Sequence, residues 1–80
     1  MRLLVIEDDE QVRGFIEKGF KEHGHLVDTA DNGKDGLFVA TTENYELLIV
    51  DRLLPQLDGL TIIKTLRGAG NKVPVIIFLE

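Results

Sequence analysis

The chain has 80 residues, a net charge of −5, 44% hydrophobic residues and no cysteine. That length allows one small domain, which buries only about 60–65% of its unfolded surface. It excludes disulfides and thiolate metal sites, a membrane span of roughly 18 apolar residues, and direct capture of nucleic-acid phosphate by this acidic segment. Met1-Arg2 leads straight into an apolar run with no signal-peptide pattern, so a cytoplasmic setting is expected.

Leu3 to Ile6 is a short apolar run ended by Glu7-Asp8-Asp9-Glu10. It predicts a first strand buried on both faces. Val12, Phe15, Ile16 and Phe20 then recur with a 3.6-residue period and predict a helix. Asp8 with Gln11 resembles a capping box, and Gly24 is placed to stop the helix. Asp9 and Glu10 are expected to be caps or solvated acids.

His25 to Ala30 alternates polar and apolar residues, as expected of a less buried strand. Asp31-Asn32-Gly33 marks a turn. Gly36, Leu37 and Ala40 give a narrow second helix face ending near Thr42.

Tyr45 to Asp51 predicts a third strand, fully apolar from Leu47 to Val50 and closed by a single acid. Pro55 bars a regular continuation, and Asp58 can cap a third helix carrying Leu60, Ile63 and Leu66. Gly68, Gly70 and Asn71 end that helix. Val73 to Phe78 predicts a fourth strand with its proline near the start.

The order β-α-β-α-β-α-β implies an α/β fold with a parallel sheet. Right-handed crossovers bring the carboxyl ends of the first and third strands together. Glu7 and Asp8 should therefore meet Asp51. Three converging carboxylates exceed what helix capping needs, and oxygen-only donors suit Mg²⁺. A carboxylate can also attack phosphorus to give an acyl phosphate. Asp51, alone on the most buried strand, is the better nucleophile. His23 and His25 have no second ligand spaced to join them and are expected at the surface.

Leu4 to Asp9, Ala30-Asp31-Asn32-Gly33, Asp51 to Gly59 and Val73 to Ile77 together resemble the receiver domain of bacterial two-component response regulators. The branch resembled is that with a winged-helix transcription-factor output (OmpR/PhoB-type). The likeness runs from Arg2 to Phe78. It implies a flavodoxin-like (CheY-like) sheet flanked by helices, here with strand order 2-1-3-4. It also implies a phosphoryl group passed from a sensor histidine kinase to Asp51. Mg²⁺ would be held by Asp8, Asp51 and the backbone carbonyl of Leu53, with Glu7 completing the pocket through metal-bound water.

The chain also departs from that pattern. The family continues through a further helix, strand and helix. It carries Thr or Ser where Leu79 stands, and a Lys at the end of a fifth strand that has no counterpart in these residues. Residues 1–78 therefore read as the N-terminal part of a receiver, and Leu79-Glu80 as a pair left by a cloning junction. On that reading the fourth strand is an exposed edge and the chain self-associates as a homo-oligomer.

The alternative is an engineered fragment, self-associating and inactive in phosphotransfer. A turnover enzyme fits less well. A flavodoxin needs a phosphate-cradling loop after the first strand, where four acids stand instead. The aspartyl-phosphate hydrolases place a second Asp at the position of Leu53.

Overall fold

The computed structural model describes residues 1–79; Glu80, half of the expected junction pair, lies outside them. The elements are β1 (Arg2–Ile6), α1 (Glu10–Glu22), β2 (Leu26–Ala30), α2 (Gly33–Thr42), β3 (Leu47–Asp51), α3 (Gly59–Gly68) and β4 (Val75–Phe78). The four strands form one parallel sheet in the order β2-β1-β3-β4. This is the expected flavodoxin-like arrangement.

Strand alternation splits the core into two layers. Leu4, Ile6, Leu48 and Val50 pack with Ala40 of α2 and with Ile62 and Leu66 of α3. Leu3, Val5, Val27 and Ile49 form the other layer, against Ile16 and Phe20 of α1. That is why β1 and β3 read as unbroken apolar runs: each residue has a covered face to fill. Leu3, Leu4, Ile6, Leu48, Ile62 and Leu66 are fully buried. Each such side chain contributes about 1.5–3 kcal/mol by leaving water.

Several details differ from the expectations. α1 is capped by Asp9, whose Oδ1 accepts from the amides of Gln11 and Val12 at 2.9 and 3.1 Å. Asp8 is thereby released from capping. Phe15 faces solvent, because the buried stripe of α1 runs through Ile16 and Phe20 instead. On α3 the buried positions are Gly59, Ile62 and Leu66, whereas Leu60 is exposed. Asp58 does cap α3, accepting from the Thr61 amide at 2.8 Å. The remaining helix signals hold: His23 closes α1, and Gly24 follows with φ +83°.

β3 and β4 each begin two residues later than the sequence implies. At β3 the cause is a polar cluster below the amino-terminal edge of the sheet. The Tyr45 hydroxyl donates to Asp28 Oδ2 at 2.6 Å. The Arg2 guanidinium reaches Asp28 at 3.2 Å and Glu43 at 2.9 Å, and lies 4.9 Å from the centre of the Tyr45 ring. The Arg2 and Glu46 backbones are joined by the Glu46 amide donating to the Arg2 carbonyl, while the Glu46 carboxylate accepts from the Arg2 amide. These contacts turn the chain into β3 rather than extending the ladder.

Between β3 and α3 the chain loops over the sheet's carboxyl edge and rests on α2. The Gly33 amide donates to the Pro55 carbonyl at 3.1 Å. A Cβ on Gly33 would land on the Leu57 carbonyl group, 2.6 Å from its carbon and nearer still to its oxygen. Only glycine permits that approach. Gln56 in the same loop has φ +71°, a left-handed conformation that costs an L-residue about 1 kcal/mol.

Two predictions follow from this geometry. Gln56→Gly should raise the unfolding free energy by about 0.5–1 kcal/mol, read from the urea midpoint at unchanged slope. The second concerns Asp28. Its carboxyl is held below the ordinary value of 3.8 by the Tyr45 hydroxyl and then by Arg2, against an opposing desolvation. A depressed folded-state value gives stability above the unfolded value that is lost as pH falls through the folded one. The stability gap between the wild type and Tyr45→Phe should therefore be widest above about pH 4 and close on further acidification. A gap independent of pH between 6 and 2 would contradict this.

Candidate metal centre

The site is built by strand register. β1 and β3 pair with Ile6 opposite Val50, so the next residues, Glu7 just past β1 and Asp51 at the end of β3, come out side by side. Each is held at its strand end. The Glu7 amide donates to the Ala30 carbonyl at 3.0 Å, and the Arg52 amide to the Phe78 carbonyl at 2.8 Å. These bonds extend the ladders one step beyond the strands and fix the outgoing backbone. Gly59 closes the other side: a Cβ there would lie 2.5 Å from the Asp51 carbonyl oxygen. α3 can thus begin directly beneath the strand end.

Glu7 and Asp51 are buried, with 0% and 4% exposure, while Asp8 is open to solvent. Carboxylate oxygens of Glu7, Asp8 and Asp51 all lie within 4.8 Å of one another. The three acids expected to converge do so. Asp51 Oδ1 also accepts from the Leu53 amide at 3.1 Å, which fixes one oxygen of the carboxylate. Leu53 itself follows on the β3–α3 loop with its side chain mostly exposed. Asp9 and Asp58 are occupied as helix caps and stand outside the cluster.

Negative charges at such separations repel by on the order of a few kcal/mol per pair, even where the surroundings are partly aqueous. A cation among them removes that cost. The donor set is three carboxylates and no nitrogen or sulfur, which matches a hard divalent ion such as Mg²⁺. Asp51 ends β3, Glu7 follows β1 directly with its amide bonded to Ala30, and Asp8 lies on the solvent-facing loop. Such a set leaves coordination positions open to water or to a phosphate oxygen.

One residue at this rim was missed in the sequence. Arg13, in the second turn of α1, sends Nη1 to the carbonyl oxygens of Glu7 at 3.0 Å and Asp8 at 3.3 Å. Its position on the helix gave no signal: a lone arginine near a helix start, among acids, reads as a solvated charge.

His23 is exposed, and its Nδ1 lies 2.9 Å from the Gly19 carbonyl. His25 is half-buried against Phe20, with Nδ1 3.1 Å from the terminal amine. Neither approaches the acid cluster. No helix among the described residues is long and apolar enough to cross a membrane.

Comparison with known proteins agrees with this geometry. The family model for the response regulator receiver domain matches residues 3–79. The probable transcriptional regulatory protein SilR of Salmonella typhimurium is 43% identical over 77 residues, which are 96% of this chain and 34% of that protein. The chain thus spans about a third of the length of such curated relatives. The receiver domain of the Francisella response regulator 1452 superposes with a TM-score of 0.95 at 37% identity, covering 98% of this chain and 64% of the other. The regulator TrrA of Thermotoga maritima, solved in complex with Mg²⁺ and BeF, superposes with a TM-score of 0.91 at 29% identity over 98% of this chain and 68% of that one. With the fold, the acid rim and a family match across nearly every residue in agreement, the chain belongs to the response regulator receiver domain family.

Proposed function

We propose that this chain is a phospho-acceptor module in which Asp51 takes a phosphoryl group from a sensor histidine kinase, in the cytoplasm, to control a DNA-binding output domain. The observation that carries the proposal is the meeting of Glu7, Asp8 and Asp51 within 4.8 Å at the mouth of the sheet, with Asp51 buried on a central strand. Open α/β sheets place their ligand chemistry at that edge. Mg²⁺ would be held by Asp8, Asp51 and the Leu53 carbonyl, with Glu7 acting through bound water. When present it would neutralise charge on the phosphoryl oxygens.

The residues divide the work. An Asp51 carboxylate oxygen attacks phosphorus while the bond from phosphorus to the donor breaks, leaving an acyl phosphate on Asp51. The Leu53 amide bonded to Asp51 Oδ1 restrains the carboxylate, so that Oδ2 is the freer oxygen to attack. Burial removes water competing for the nucleophile. Leu79 stands where the resemblance places Thr or Ser, so no hydroxyl donor comes from that position. A missing donor of this kind costs about 3 kcal/mol, on the order of a hundredfold in rate.

Incubation with a small phosphodonor and Mg²⁺ should therefore label the chain slowly and on Asp51 alone. Intact-mass measurement checks this. Labelling should be lost in Asp51→Asn and on chelation of Mg²⁺, and label persisting in Asp51→Asn would overturn the assignment.

A second reading concerns assembly. β4 lies at the edge of the sheet with Ile76 and Ile77 exposed and no charged residue between Val75 and Phe78. An uncharged apolar edge is a template for pairing. We propose self-association through β4. The apparent mass by size exclusion with light scattering should rise with concentration, and Ile76→Lys should restore a monomer. A monomeric wild type at all concentrations would refute it.

A further inference from the structure

We propose that Arg13 is a positioning residue for the acid cluster, acting as a clamp on the β1–α1 loop. The inference rests on the metal-site reading above and extends it to a side chain outside the carboxylate set.

Two consecutive carbonyls converge on the Arg13 side chain, and the helix bond from its backbone amide holds the third. Arg13 Nη1 donates to the carbonyls of Glu7 and Asp8, and the Arg13 backbone amide donates to the Asp9 carbonyl at 2.9 Å. Glu7 and Asp8 are two of the three clustered acids. Asp9 is tied to α1 a second time through its capping carboxylate. The Glu7 and Asp8 carbonyls are thus gripped by the side chain of a half-buried arginine on the adjoining helix, while Asp9 is held by the first helix bond of α1 and by its own cap. The charge on the guanidinium strengthens such bonds relative to those from a neutral donor. They hold the backbone from which two donors project, and such supporting bonds typically govern metal affinity by about 10–100-fold.

The alternative role for a cation beside a phosphoryl site is to bind the phosphoryl group itself. The groove that Arg13 lines argues against it, because Asp31 and Asp35 share its wall and would repel an anion.

A clamp and a simple charge have opposite effects on Mg²⁺. A cation near the acids repels the metal, so deleting it raises affinity if charge is all that matters. Deleting a clamp lowers affinity, because the donors must then be ordered on binding. Arg13→Met removes the donors and keeps most of the apolar stem, and Arg13→Lys keeps the charge with a shorter reach.

The experiment titrates Mg²⁺ into the wild type, Arg13→Met and Arg13→Lys, each first shown to be folded by its thermal transition. It also measures amide hydrogen exchange without metal at Glu7, Gln11 and Val12, whose amides are hydrogen-bonded at the two ends of the loop. The clamp predicts affinity about tenfold weaker in Arg13→Met, a smaller loss in Arg13→Lys, and faster exchange at those amides in both. Affinity in folded Arg13→Met equal to or tighter than wild type, or unchanged exchange, overturns the clamp. A wild type that binds no Mg²⁺ overturns the metal site instead, and the metal-free exchange rates then decide the clamp alone.

Discussion

The pairing of Ile6 with Val50 is the constraint on which the rest of the structure depends. Side chains alternate faces along a strand, so a slip of one residue would turn every buried side chain of β3 toward the wrong layer. Leu48 and Val50 are committed to the layer beneath α2 and α3, and Ile49 to the layer beneath α1. The register is therefore set by burial on both faces at once. Its by-product is chemical: the next residues after that pair are two acids, delivered to the same place by packing that has no stake in them.

This separation of duties explains the polarity of the molecule. The carboxyl edge of the sheet holds three carboxylates close together, a grouping that a bound cation would relieve. The amino edge carries a matched set, Arg2 with Asp28, Glu43 and the Tyr45 hydroxyl, already satisfied by one another. One end gathers carboxylates around a candidate cation site, and the other closes its ion pairs among its own side chains.

Much of this was legible in the sequence. Three apolar runs and one alternating stretch marked the strands, and the two runs closed by acids marked the site. What escaped was the phase of the helices. Phe15 fits the 3.6-residue pattern of α1 as well as Ile16 does, but only one stripe can face β1 and β2, and α1 turns Phe15 outward. On α3 the steps from Leu60 to Ile63 to Leu66 are all three residues and drift off the helix period, whereas Gly59, Ile62 and Leu66 hold it. Two adjacent candidates for one cap, Asp8 and Asp9, were likewise separable only by geometry. Arg13 was invisible because its partners are carbonyls, which every residue has and no sequence pattern marks.

The bare Cα of Gly33 has a mechanical consequence. With the Leu57 carbonyl seated where a side chain would begin, and Pro55 bonded to the Gly33 amide, no slack exists between α2 and the loop that leaves Asp51. A stiff joint transmits rather than absorbs. A displacement of residues 52–57 therefore presses on the first turn of α2 and on the groove along its flank.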